Sequence, residues 1–271
     1  LGPWEERAVG AIITLTTDFG TADGYVGAMK GVILTLCRRV TVVDITHDIP
    51  PHDVWSGALT LLTCAGYFPE DAIHIGVVDP GVGSGRRAMA VRTDQGVFVG
   101  PDNGLFTLVM DRWGVSEAVH LERASFFLPR VSPTFHGRDV FAPVAAHLAL
   151  GVPLEHMGSP LDPPVRLEIP EPLGERDQIR GQVIHVDRFG NLITNIQEWR
   201  LAGIPSKDVI VEWHGVRIHG LSTAYADVRE GAFLALVGSA GMIEISRNRR
   251  RADENAGGVR GASVVVSWTA R

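Results

Sequence analysis

The chain has 271 residues and a net charge of −6, with 45% hydrophobic and 21% charged residues. That balance suits a globular protein with a sizeable core and excludes a disordered chain. The acidic excess argues against nucleic acid or an anionic membrane as partner, and no apolar run reaches the roughly 20 residues of a membrane helix.

The two cysteines, Cys37 and Cys64, lack zinc or redox spacing and read as small core residues in a reducing compartment. Arg247, Arg249, Arg250 and Arg251 form the one basic cluster, beside Asp253 and Glu254, and read as a solvated loop. Leu1–Val9 does not begin with Met and shows no basic-then-apolar leader, so a trimmed end and a cytoplasmic location are expected.

In chain order, Ala11–Thr16 is a β-branched run expected as a buried strand. Thr17, Asp18, Phe19 and Gly20 end it, and Asp23 is expected to cap the following helix. Val26, Met29, Ile33 and Cys37 lie on one face of that helix. Val40–Ile45 is the next strand, followed by the loop His47–Pro51. Asp53 is expected to cap a second helix bearing Val54, Ala58 and Leu61. Ala72–Val78 is a third strand, and it leads into Asp-Pro-Gly-Val-Gly-Ser-Gly-Arg-Arg at 79–87. The glycines permit turns that side chains would block, so an arginine can fold back on Asp79.

Ala88–Thr93 and Gly96–Gly100 read as a hairpin. Pro101–Gly104 is a polar loop, with a helix through Leu105 and Val109 and a strand at Ala118–Leu121. Ser132–Asp139 precedes a helix bearing Val140, Val144 and Leu148. Asp139 is expected to cap it, with Pro143 confined to its first turn. This alternation implies an α/β N-terminal domain, residues 10–155, with a central, mainly parallel sheet. Ligands bind outside the carboxyl ends of such strands, where Asp18, His47, Asp48 and Asp79 all fall.

A proline-rich stretch, 156–178, reads as a linker. Beyond it the pattern is of short strands only: 179–186, 191–196, 208–213, 232–237, 241–246 and 262–268. A smaller all-β, barrel-like C-terminal domain is expected over 179–271.

The glycine loop fits neither the P-loop nor the dinucleotide fingerprint, and no serine sits in a nucleophile elbow. Two constellations remain. His47, Asp48 and Asp79 could hold a metal, although their spacing matches no specific ligand motif. Asp79, Arg86 and His136 could form a charged reacting centre.

Five motifs bear on that choice. They are Thr-Thr-Asp-Phe-Gly at 16–20, Asp-Pro-Gly-Val-Gly at 79–83, Pro-Asp-Asn-Gly-Leu at 101–105, Phe-His-Gly-Arg-Asp at 135–139 and Asp-Arg-Phe-Gly-Asn-Leu-Ile-Thr-Asn at 187–195. Together, and in this order, they resemble the S-adenosyl-L-methionine (SAM) hydroxide adenosyltransferases, relatives of the SAM-dependent fluorinase and chlorinase. The resemblance implies hydrolysis of SAM to adenosine and L-methionine by water or hydroxide at C5′, without metal or organic cofactor. It also implies a homotrimer, with substrate held between the N-domain of one subunit and the C-domain of its neighbour.

Carried over position by position, it makes Asp79, Arg86 and His136 the catalytic triad. Asp18 takes the ribose hydroxyls, and Phe135 contacts the nucleoside. Asp187 and Asn191 hold the methionine amino and carboxylate ends, with Phe189 as wall. Ser239, Arg247 and Tyr225 fall near the adenine. His52 stands where the fluorinase pattern has a tryptophan. That pattern also has tyrosine at Asp79 and Tyr-Ser at His136-Gly137, so hydroxide is expected here rather than halide. The alternatives carried forward are a SAM- or adenosine-binding module, a halogenase, and a metal-dependent hydrolase.

Overall fold

The computed structural model describes residues 10–255 and 257–268, so the reading of Leu1–Val9 lies outside the described residues. The chain divides between Leu167 and Glu168 into two compact units.

The first unit is built on seven strands: β1 (Ile12–Thr17), β2 (Thr41–Thr46), β3 (Ile73–Val77), β4 (Ala88–Thr93), β5 (Gly96–Pro101), β6 (Glu117–Leu121) and β7 (Gly158–Pro160). They pair in the order β2-β1-β3-β5-β4-β6-β7. The pairs β1/β2, β1/β3 and β3/β5 are parallel. The pairs β4/β5, β4/β6 and β6/β7 are antiparallel. β4 and β5 form the expected hairpin, and β5 inserts between β4 and β3. At its turn Gly96 has φ 129°, and a Cβ there would lie 2.4 Å from the Ala72 carbonyl oxygen.

Among the described residues, four α-helices accompany the sheet: α1 (Tyr25–Leu36), α2 (Val54–Ala65), α3 (Thr107–Trp113) and α4 (Ala142–Ala149). Met29 and Ile33 of α1 and Val144 of α4 share one buried apolar cluster with Ile13, Leu15 and Ile75 of the strands. Leu61 of α2 and Val109 of α3 share a second with Phe98 and Met89. The sheet is therefore covered on both faces, which is why its central strands are almost wholly apolar.

Asp53 caps α2 as expected, accepting from the Ser56 amide at 3.2 Å. Asp23 does not cap α1. That helix begins at Tyr25 with Gly24 flanking it, and no side chain bonds its first amides. Asp139 is not a cap either. A π-helical turn, Gly137–Phe141, leads straight into α4, so Asp139 lies inside the helical stretch. There it accepts from the Ser132 amide and from Arg138.

The second unit contains β8 (Leu173–Gly174), β9 (Gln178–Val186), β10 (Leu192–Gln197), β11 (Val209–Trp213), β12 (Val216–His219), β13 (Phe233–Val237), β14 (Met242–Arg247) and β15 (Ser263–Trp268). Their order is β12-β11-β15-β9-β10-β14-β13, with β8 beside β9 and all pairs antiparallel. The sheet curls into a nearly closed barrel around Val183, Ile196, Val211, Trp213, Ile245 and Val264. β12 adds a strand to the expected set. It is joined to β11 by His214 and Gly215, both at positive φ (46° and 80°), the conformation of a tight hairpin turn.

Candidate active site

In the first unit, the loop after β3 places Asp79 at a parallel strand's carboxyl end. Its backbone folds tightly: the Val82 amide donates to the Asp79 carbonyl at 3.2 Å, and Ser84 donates to the Gly81 carbonyl through both its amide and its hydroxyl. The Arg86 amide in turn donates to Ser84 Oγ at 3.3 Å. These bonds turn Arg86 back on Asp79. Arg86 Nε lies 2.9 and 3.0 Å from the two carboxylate oxygens, and Nη2 also donates to Oδ2. Both side chains are buried, at 9% and 5% exposure.

Gly83 fixes the partner loop. It has φ 75°, and a Cβ there would fall 2.3 Å from the Pro133 carbonyl oxygen. The approach that only glycine allows brings segment 132–136 against the glycine loop. His136 then meets Arg86: Nη2 lies 2.8 Å from His136 Nδ1. A guanidinium is a donor only. In the neutral imidazole Nδ1 is therefore the acceptor and the ring proton sits on Nε2. Burial, and next the positive charge of Arg86, hold the His136 pKa below its ordinary 6.5, so the ring is neutral at pH 7. The guanidinium also lies 5.4 Å over the Phe141 ring centroid.

Arg87 points elsewhere. Its Nε donates to the buried Asp102 at 2.7 Å and its Nη2 to the Pro163 carbonyl at 2.8 Å. The two adjacent arginines thus divide, one toward Asp79 and one holding the 163–165 segment.

Asp18 ends β1, the strand beside β3, and accepts from the His52 amide at 2.9 Å. His52 reaches it through a positive φ of 67°. The turn carrying Asp18 has support that sequence reading missed. Thr17 Oγ1 bonds His47 Nδ1 at 2.8 Å. His47 Nε2 lies 3.0 Å from Asp44, within ion-pair distance but off hydrogen-bonding alignment. Lys30 closes the chain on Asp44 at 2.6 Å. His47 is thereby engaged with Thr17 and Asp44, and the structure does not gather His47, Asp48 and Asp79 as a metal-holding group among the described residues.

Phe135 packs edge-on against Phe19 and Tyr25, at 5.9 and 5.1 Å between centroids, with Arg138 over its ring at 4.8 Å. Tyr25, half-exposed at the start of α1, completes this aromatic wall. Only its place in the first turn of a helix beside the Asp18 loop could have signalled it.

In the second unit, Asp187, Phe189, Asn191, Tyr225, Ser239 and Arg247 all line one cleft of about 1040 Å³. Asp187 is engaged by its own turn. Oδ1 accepts from the Phe189 and Asn191 amides, and Oδ2 accepts from Asn191 Nδ2 at 2.9 Å. Arg247 donates to the Gly231 carbonyl and covers Phe233 at 5.2 Å. Phe189 stands 75% exposed. The cleft also contains Glu244, which the sequence reading did not select.

A buried carboxylate–guanidinium pair joined to a half-buried imidazole at a strand end, and a separate cleft of mixed aromatic and polar lining, are the equipment of an enzyme that takes a small, partly aromatic substrate. The comparisons identify which. Models of the SAM hydroxide adenosyltransferase N-terminal and C-terminal domains match residues 13–158 and 181–265, and the chain belongs to that family. It is 41% identical over 248 residues to a Salinispora tropica protein named (R)-S-adenosyl-L-methionine hydrolase, covering 90% of this chain and 93% of that one. A Thermus thermophilus protein of the same name is 42% identical, covering 89% and 93%. A fluorinase from Nocardia brasiliensis is 32% identical, covering 88% and 90%. Among solved structures, an uncharacterized conserved protein from Thermotoga maritima superposes with a TM-score of 0.87 at 34% identity, covering 96% of this chain and all of that one. The family and the two-part α/β and β-barrel architecture expected from sequence are both found.

Proposed function

We propose that this chain hydrolyses SAM to adenosine and L-methionine, with the Asp79–Arg86–His136 chain as its reacting centre. The observation that carries the proposal is the continuous hydrogen-bonded path from Asp79 through Arg86 to His136, in a chain similar over most of its length to proteins named for that reaction.

In the proposed step an oxygen nucleophile forms the C5′–O bond. The C5′–S bond breaks and its electron pair goes to sulfur, leaving neutral methionine thioether. The sulfonium is already a good leaving group, so neither an acid nor a Lewis acid has to activate it. The oxygen must instead be placed and partly desolvated. Arg86 favours hydroxide by its charge, and Asp79 fixes the guanidinium plane. His136, with Nδ1 held by Arg86, faces the nucleophile as an Nε2–H donor. Hydroxide loses no further proton on forming the product alcohol; a water would release one to solvent.

The cleft of the second unit supplies substrate recognition in this proposal, with Asp18 and Phe135 of a neighbouring subunit serving the ribose and nucleoside, as the family resemblance implies. A homotrimer and a cytoplasmic location belong to the same proposal. They are supported by the family resemblance and, for the location, by two cysteines without a disulfide. No helix among the described residues is long and apolar enough to cross a membrane.

The test is incubation of the pure protein with SAM, following adenosine and methionine by liquid chromatography. Adenosine is expected in the presence of a chelator and without added halide. Absence of adenosine from folded protein sinks the hydrolase reading. A 5′-halo product appearing only with added halide would move the chain to the halogenases. Light scattering checks the trimer.

A further inference from the structure

One carboxylate in the second-unit cleft has no role in the proposed reaction. Glu244 lies on β14, is 6% exposed, and faces the cleft. Its Oε1 accepts two hydroxyls, Tyr225 at 2.8 Å and Ser246 at 2.7 Å. Among the described residues its Oε2 accepts no hydrogen bond. An oxygen left open to the cleft in this way is free to accept from a donor on a bound ligand.

Its surroundings keep that oxygen available. A Cβ on Gly238, also a cleft residue, would sit 2.8 Å from Glu244 Oε2, so glycine leaves the space before the oxygen open. Tyr225 stays a donor: burial, then its bond to Glu244, push its hydroxyl up to about 12. The Tyr225 turn is itself pinned, because Asp227 accepts from the Thr223 amide and hydroxyl and from the Ala224 amide. Asp187, the other carboxylate of the cleft, is taken by its own turn. Glu244 Oε2 is therefore the cleft carboxylate oxygen that accepts no hydrogen bond among the described residues.

What it would accept follows from the walls. Tyr225 and Phe189 expose 45% and 75% of their surface and both line the cleft. Half-exposed aromatic faces suit a planar ring, and a fixed acceptor beside them suits an N–H on that ring's edge. We propose that Glu244 is the base-specificity residue of the cleft, its Oε2 accepting from the exocyclic amino group of a 6-aminopurine. This rests on the reading of the cleft as the substrate-recognition site.

The geometry predicts the effect of a near-isosteric change. In Glu244→Gln, Tyr225 and Ser246 still donate to the amide oxygen, which turns the NH2 toward the cleft. A donor then stands where an acceptor stood. The pocket should disfavour adenine's amino group and favour a 6-oxopurine.

Titration calorimetry of the full chain with adenosine and with inosine tests this, alongside SAM turnover. The wild type is expected to bind adenosine at least ~10-fold tighter than inosine, and Glu244→Gln to erase or invert that ratio. A Gln variant that melts normally and keeps the wild-type ratio overturns the proposal. So does one that keeps its adenosine affinity and loses only SAM or methionine affinity, since the donor would then be an ammonium group. Should Glu244→Gln fail to fold, Gly238→Ala retains the carboxylate but fills the space before Oε2. It should weaken adenosine ~10-fold or more, and unchanged binding again overturns the proposal. Wild-type protein that discriminates the two nucleosides through Glu244 but releases no adenosine from SAM removes the hydrolase reading and leaves this one standing.

Discussion

Arg86 Nη2 donates to His136 Nδ1 across 2.8 Å, joining the glycine loop after β3 to the segment before α4. The bond decides the imidazole's tautomer and holds it neutral. Protonating His136 would set a cation against the Arg86 guanidinium, and burial opposes the charge further. The proposed step thus uses the neutral ring. The expected pH profile falls on the acid side with a midpoint below 6.5, the direction of the His136 shift. Above that midpoint this group imposes no further loss. His136→Asn should lower kcat by ~10²-fold or more and remove this acid limb, with adenosine affinity little changed. An unshifted acid limb in that variant would remove His136 from the reacting centre. In Arg86→Gln, whose charge is gone, the His136 ring should titrate at higher pH by NMR than in the wild type.

The Asp79–Arg86 pair is buried on both sides, so removing one partner strands the other. Asp79→Asn keeps the shape but loses the charge. It is expected to cost about 3 kcal/mol or more of stability and to reduce kcat strongly. Adenosine affinity should fall much less, because in the proposed step Asp79 acts through Arg86 and not on the nucleoside. Urea unfolding, SAM turnover and adenosine titration separate the three. A variant that keeps its turnover but loses adenosine would shift Asp79 to the binding residues.

Much of this arrangement was legible in the chain. The polar strand ends at Asp18, His47 and Asp79 follow from where apolar runs stop, and the cap at Asp53 follows from side-chain reach. The spatial order was not legible. That β5 inserts between β3 and β4 depends on long-range pairing that local pattern does not encode. β12 escaped because Val216–His219 is short and only half-buried, with its turn signal carried by His214-Gly215 rather than Asn-Gly. β7 lay hidden in a proline-rich stretch, where Pro160 is tolerated because the strand forms the sheet edge. Glu244 had a signal that went unread. In Ile243-Glu244-Ile245-Ser246, period-two alternation puts the carboxylate on the face opposite the barrel core, beside Ser246.

Two glycines of one loop should respond very differently to alanine. Gly83 has φ 75° and the Pro133 carbonyl at 2.3 Å from a virtual Cβ, whereas Gly85 has open space. Gly83→Ala must strain the backbone or push segment 132–136 away, taking His136 off Arg86. A stability loss of roughly 1–3 kcal/mol and a large drop in kcat are expected. Gly85→Ala should stay near wild type in both. Equal activity in the two variants would show that the close approach of the loops is not needed for turnover.

His74 bears on the stability of the fold rather than on the site. His74 sits on β3 at 1% exposure, stacked on Phe98 at 4.8 Å, with Nδ1 bonded to Thr14 Oγ1 at 2.8 Å. Burial pushes its pKa down to about 4 from 6.5. In the unfolded chain the ring binds its proton near 6.5, so between those values the unfolded state holds more protons than the folded one. Stability from this group is therefore complete above pH 6.5 and is lost as pH falls toward about 4. The shift corresponds to a loss of about 3 kcal/mol. His74→Phe keeps the stacked ring; it leaves the Thr14 hydroxyl without its partner and also removes His74 Nε2, which is buried with no hydrogen-bond partner among the described residues, two opposing effects of about 1–3 kcal/mol each that do not depend on pH. Urea unfolding followed from pH 7 to pH 4 should show the variant losing less stability than the wild type as the pH falls. Parallel acid slopes in the two proteins would mean that His74 is not the group that charges on unfolding.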